Sequence, residues 1–202
     1  MLTRLSLLIA VAALVLATSQ AGALLLTFDD LTEDHDYATI TYPGVTFRDI
    51  SGGLLQVDTC VPGAPLAGQD VFSLNFASPD SRFQADFSIP GVNSVSVDLG
   101  DYGVDEDQIH LEAYGANNAL LAWGSDVLPS NLEGGRTLSV AAADISYVRF
   151  WAVGYQDGNS VFFDNFQYHG QGIPEVPEPA SLALLGLACG GIGMILKRRK
   201  KA

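Results

Sequence analysis

Arg82-Phe-Gln-Ala-Asp-Phe-Ser-Ile89, then Pro90-Gly91, then Ser94-Val-Ser-Val-Asp-Leu99 is the stretch from which the fold is read. Phe83, Ala85, Phe87 and Ile89 alternate with Arg82, Gln84, Asp86 and Ser88. Val95, Val97 and Leu99 alternate with Ser94, Ser96 and Asp98. A period of two is that of an extended strand with one face buried. Pro90-Gly91 between the two runs is a turn signal. The same alternation returns in Ile109, Leu111 and Ala113, and in Val148, Phe150 and Ala152. Trp151 falls between two inward positions and so points outward.

Working outward, further short runs read as strands: 24–28, 45–49, 54–57, 71–76, 119–123, 137–140 and 160–168. Pro43-Gly44, Gly52-Gly53, Pro62-Gly63, Asn117-Asn118, Gly134-Gly135 and Asp157-Gly158 mark the turns. No window before the C-terminal apolar stretch has a helical period. About eleven short strands in about 150 residues predict an all-β fold, two antiparallel sheets packed as a β-sandwich of jelly-roll type.

Both chain ends read as processing segments. Met1 to Arg4 is followed by an apolar run over Leu5–Ala17 and then by small residues ending in Ala21-Gly22-Ala23. This is the pattern of a secretory signal peptide over 1–23, cut after Ala21 or Ala23, the latter being the better small-x-small match. At the other end, 171–179 is a proline-rich linker containing Val176-Pro177-Glu178-Pro179. Residues 180–196 carry no charge and are expected to form one transmembrane helix, and 197–202 is a basic tail. Seventeen residues at helical rise span roughly 25 Å, enough for a thin bilayer. Lys197, Arg198, Arg199, Lys200 and Lys201 resist translocation and fix the tail in the cytoplasm, with the 24–170 domain outside.

Charge is distributed unevenly. Between Leu24 and Pro174 there are four arginines, no lysine and 21 acids, which leaves about -17. A surface this acidic repels phosphate backbones, so nucleic acid is not an expected partner. It suits hard cations such as calcium. Of the two cysteines, Cys189 lies in the apolar tail and Cys60 in the domain. They are not expected to pair, and Cys60 reads as a small buried hydrophobe.

Pro-Glu-Pro, a short glycine-rich apolar span and a basic end, in that order, resemble the PEP-CTERM sorting signal. The resemblance implies processing by an exosortase, a membrane cysteine transpeptidase of Gram-negative bacteria that make extracellular polysaccharide. It implies passage through the inner membrane as a single-pass protein, then delivery to the cell surface or extracellular matrix. Pro174, Pro177 and Pro179 keep that strip extended and outside any helix.

A second resemblance rests on Thr27-Phe28-Asp29-Asp30-Leu31 in the first strand and Val161-Phe162-Phe163-Asp164-Asn165-Phe166 in the last. These look like jelly-roll carbohydrate-binding modules and galactose-binding-like folds, in which acids of the first and last strands share a structural calcium ion. Carried over by position, Asp29 and Asp164 would be ligands, with Asp30 and Asn165 in reserve. The alternative is that these acids bond locally at strand ends.

The acidic segment from Asp98 to Asp107 lacks EF-hand spacing and reads as a solvated hairpin tip. The same reading applies to Glu33-Asp34-His35-Asp36. Sugar binding would need exposed aromatic faces, for which Trp123, Trp151, Tyr102, Tyr114 and Tyr155 are candidates, Trp151 foremost. No Gly-x-Ser-x-Gly elbow, His-Glu-x-x-His or Cys-x-x-Cys is present, and the three histidines lie far apart. The expectation is a non-enzymatic surface or matrix protein that binds carbohydrate, exopolysaccharide being the natural candidate. A secreted polysaccharide hydrolase and a purely structural matrix component are the alternatives.

Overall fold

The computed structural model describes residues 22–59, 68–74, 82–100, 106–129, 135–154 and 161–171. Residues 1–21 of the expected signal peptide, the sorting strip, the apolar span and the basic tail lie outside these residues, as do Cys60, Tyr102, Tyr155 and Cys189. Among the described residues no helix is long and apolar enough to cross a membrane.

Thirteen strands are described: β1 Gly22–Leu26, β2 His35–Tyr37, β3 Ile40–Tyr42, β4 Val45–Asp49, β5 Leu55–Thr59, β6 Gln69–Ser73 and β7 Phe83–Phe87, followed by β8 Val92–Gly100, β9 Asp107–Tyr114, β10 Leu120–Leu128, β11 Arg136–Ile145, β12 Tyr147–Val153 and β13 Phe162–Gly170. They form two antiparallel sheets. One runs β11-β8-β13-β6-β5-β2, with β1 also paired to β13, and the other runs β10-β9-β12-β7-β4-β3. The last eight strands follow the jelly-roll order, β11-β8-β13-β6 facing β10-β9-β12-β7. The fold is thus the all-β sandwich that the alternation predicts. Only β2 and β3 escape that reading, because three residues each are too few to show a period.

Where alternation is strong, burial obeys it. Val95, Val97, Leu99, Ile109, Leu111 and Phe150 are all 0–1% exposed. The centre of the sandwich is a knot of phenylalanine rings. Phe163 meets Phe28, Phe83 and Phe150 edge-on at 5.3, 4.8 and 4.9 Å, and Phe47 meets Phe166 at 4.8 Å. Edge-to-face contact sets the positive ring edge against the negative face. Phe28 joins this cluster from a turn (φ +58°), not from a strand as the sequence suggests.

One buried polar link joins the sheets. Asp49 of β4 accepts hydrogen bonds from Ser51 N at 2.6 Å, from Ser51 Oγ and from Ser73 Oγ of β6. A buried carboxylate is tolerable when its lone pairs are used in this way.

Two details correct the sequence reading. β1 includes Gly22 and Ala23, with Gly22 opposite Gly170. The 98–107 segment is not a hairpin tip, because β8 pairs with β11 and β13 whereas β9 pairs with β10 and β12. β8 and β9 thus belong to different sheets, and Asp107 at the start of β9 is fully buried.

Candidate functional site

The outer face of the six-stranded sheet is built by the register of its strands. One row runs Trp123, Glu112, Arg149, Gln84, Arg48 across β10, β9, β12, β7 and β4. The next row carries Leu120, Tyr114, Tyr147, Asp86, Thr46 and Thr41. On the other side of the first row, Ser125, His110 and Trp151 lie in register. Thr46, Gln84, His110, Glu112, Arg149 and Trp151 face outward because both sequence neighbours of each are buried in the core.

These rows interlock. Tyr114 and Tyr147 stack at 4.7 Å with their planes 9° apart. The Arg149 guanidinium lies 5.2 Å from both ring centroids, and its Nε donates to Gln84 Oε1 at 2.9 Å. Gln84 Nε2 donates to Asp86 Oδ1 at 2.7 Å, and Arg48 Nε pairs with Asp86 Oδ2 at 2.9 Å. Tyr114 donates its hydroxyl to Glu112. Burial, that hydrogen bond and the Glu112 charge push the Tyr114 hydroxyl up to about 12, against a smaller pull from Arg149. Tyr147 donates to Asn118 Oδ1 at 3.0 Å.

Trp151 does face outward, but it is 8% exposed, covered by its neighbours. His110 stacks on it at 4.9 Å and the Arg82 guanidinium sits 4.7 Å from its ring. Burial lowers the His110 pKa, with Arg82 adding to the effect against a contrary pull from Glu112. Among the described residues the most open aromatic face is Trp123, 67% exposed on edge strand β10. Together these residues form a platform of rings, guanidinium groups and amides suited to a flat, hydroxyl-bearing ligand.

The opposite sheet presents a different chemistry. Thr137 and Asp98 pair across β11 and β8, Asp98 and Asp164 across β8 and β13, and Asp70 and Asp58 across β6 and β5. Phe163 opposes Val71, so the next step of that register sets Asp164 beside Asp70. Four aspartates therefore share one row on the outer side of the sheet. Thr137 Oγ1 and, at 3.0 Å, Asn165 Nδ2 donate to Asp98. Asp164 is 1% exposed, and its Oδ1 is buried without a hydrogen-bond partner. Burial is the main cause that pushes its carboxyl up to about 7, with the charges of Asp29, Asp70 and Asp98 adding to it and a backbone N–H at Asn165 opposing.

Asp29 reaches this corner from the turn after β1. Its Oδ1 accepts the Gln69 N–H at 3.0 Å. Gly68 (φ +100°) makes room for it, since a Cβ there would stand 2.5 Å from that oxygen. Asp29 thus lies near enough to Asp164 to be felt by it. The reserve candidates are engaged elsewhere, Asp30 by the Tyr42 hydroxyl and Asn165 by Asp98. Among the described residues no three His, Cys, Asp or Glu side chains are grouped so as to hold a metal ion. The orphaned oxygen of Asp164 still leaves a place for a cation that draws its other ligands from backbone carbonyls. Sequence reasoning missed Arg82 and Arg149 because an arginine over a ring has no sequence pattern; only the outward parity of 82, 84 and 86 hinted at them.

The fold has relatives among solved structures. A DUF4465 family protein from Bacteroides caccae is similar over 74% of this chain and 100% of its own, with 7% identity and a TM-score of 0.50. The CBM22-1 xylan-binding domain from Paenibacillus barcinonensis aligns with 77% of this chain and 98% of its own, at 11% identity and a TM-score of 0.43. TmCBM61, solved with β-1,4-galactotriose, aligns with 68% of this chain and 99% of its own, at 13% identity and a TM-score of 0.43. At such identities the likeness concerns the fold alone. No curated protein matches the chain in sequence. The C-terminus is more specific, since a sorting motif of the kind found there marks a secreted chain held at the membrane before it is processed. Residues 175–200 match the PEP-CTERM protein-sorting motif, so the chain carries the signal that its proline strip, apolar span and basic tail resemble.

Proposed function

We propose that this is an exported, non-catalytic surface or matrix protein whose sandwich binds carbohydrate on the outer face of the six-stranded sheet. One observation carries the reading: the stacked Tyr114–Tyr147 pair, capped by Arg149 and flanked by exposed Trp123. Pyranose rings present apolar C–H faces that lie on aromatic rings and hydroxyls that bond to amides and guanidinium groups. After export, an exosortase would process the chain beyond Pro177-Glu178-Pro179 and deliver it to the cell surface or matrix, where exopolysaccharide is the partner at hand. A calcium ion at the Asp29–Asp164 corner would neutralise the buried Asp164 carboxylate and tie the turn after β1 to β13.

The test is binding of matrix polysaccharide by the full chain and by Trp123→Ala and Tyr114→Ala variants, with calcium present. Binding that falls in the variants supports the reading. Polymer turnover lost on replacing one acid would replace it with the hydrolase, and absence of any binding would leave a structural component.

A further inference from the structure

The domain has 21 acids and four arginines, and random placement would surround every arginine with carboxylates. The structure does otherwise. Arg48, Arg82 and Arg149 all stand on, or at the border of, the outer face of the six-stranded sheet. The four-aspartate row lies on the outer face of the other sheet. Three of the four cations thus gather on one side of the sandwich, among Glu112 and Asp86, and away from the aspartate row.

Two of these arginines are held without a carboxylate partner. The single ion pair among the described residues is Arg48–Asp86. Glu112 lies directly across the ladder from Arg149, yet accepts from Tyr114, and the Arg149 Nε goes to neutral Gln84. Arg82 rests on the Trp151 ring. Register sets Gln84 opposite Arg149, so Arg82, two positions earlier on the same strand side, is its diagonal neighbour. Diagonal positions are roughly 7–8 Å apart, within reach of long side chains. A guanidinium fixed on an aromatic face keeps its free N–H edges pointed away from the ring, in the fork geometry that matches a carboxylate.

Resting on the carbohydrate reading above, we propose that the ligand is an acidic polysaccharide of the uronate type. Its ring faces lie on Trp123 and on Tyr114, which Tyr147 backs from beneath, and its carboxylates are taken by Arg149 and Arg82. The long-range field of the acidic domain opposes such a polymer but is screened beyond a Debye length of about 8 Å, and nearby Glu112 and Asp86 are engaged by Tyr114, Gln84 and Arg48. A second copy of the chain, offering exposed acids such as Glu33, Asp34 and Asp36, is the competing occupant.

The experiment uses the full chain in detergent and one polymer in two forms: polygalacturonate, and the same polymer with its carboxyls reduced to neutral galactose. The expected result is binding to polygalacturonate at least about tenfold tighter than to the reduced form, a difference of roughly 1.4 kcal/mol. Arg149→Gln and Arg82→Gln should each erase that preference, whereas Arg136→Gln, off this face, should keep it. Arg149→Lys tells geometry from charge if Arg149→Gln fails to fold: a folded lysine variant that loses the preference supports the fork. Equal binding of both polymers overturns the acidic assignment and leaves carbohydrate binding standing. Binding of neither overturns both. Concentration-dependent self-association in sedimentation, abolished by the arginine variants without any polymer binding, overturns it in favour of the second copy.

Discussion

Asp98 and Asp164 face each other across the β8–β13 ladder; two side chains, Thr137 and Asn165, donate to Asp98, whereas Asp164 has a backbone N–H at Asn165 and one oxygen without a partner. Asp164 bears the cost. Its folded-state pKa of about 7 lies above its ordinary value of 3.8. The proton is therefore held more tightly in the folded chain than in the unfolded one. The stability this gives is whole below about pH 4 and is lost as the pH rises through 7. In chelator, the Tm should fall over that interval, and Asp164→Asn should flatten the fall. An unchanged slope in the variant would remove Asp164 as its source.

Calcium should act on the same group from the other direction. A cation that binds only the folded state stabilises by mass action. Millimolar calcium at pH 8 should raise the Tm of the protein and leave Asp164→Asn unmoved. Gly68→Ala should blunt the response too, because the new methyl group displaces the Asp29 carboxylate. A wild-type melting curve indifferent to calcium would count against the site.

Asn165 should be costly to replace with a β-branched residue. It sits at φ +48°, where asparagine is tolerated and valine is not, and it donates to Asp98 at 3.0 Å. Asn165→Val should destabilise by about 2–3 kcal/mol in urea unfolding, from strain and the lost donor. Asn165→Gly should recover the strain component alone.

Phe163→Ala should remove about 3–5 kcal/mol, because its ring touches four other phenylalanines at the centre of the core. That is a large part of what holds a domain of this size together. A loss under 1 kcal/mol would mean that the ring cluster is not the core's centre.

Deleting Pro177-Glu178-Pro179 should leave the unprocessed chain in the membrane fraction, read by its mass. Normal processing of the deletion would separate the motif from its proposed enzyme.

Much of this fold is written in simple alternation. β8, β9 and β12 each show it over six residues or more, and their inward positions are all buried. β13 does not alternate, because Phe163 and Phe166 are three apart yet both fully buried. Asn165 supplies the extra residue: Asp164 opposes Asp98 while Gln167 opposes Ser96. A bulge of this kind resets the face after one residue. Nothing in the local composition announces it except an asparagine in an apolar run. The outward parity of Trp151 was legible for the same reason as the core. Its cover by His110 and Arg82 was not, since those contacts join three strands whose order sequence alone does not supply.

The placement of β13 has a consequence for biogenesis. It is the final strand among the described residues, yet it lies inside its sheet, with β8 on one side and β6 and β1 on the other. While the carboxyl-terminal end is still threading through the export channel, that sheet lacks its middle. The sandwich would then close only after β13 emerges, so folding would trail export and be timed by the end of the chain.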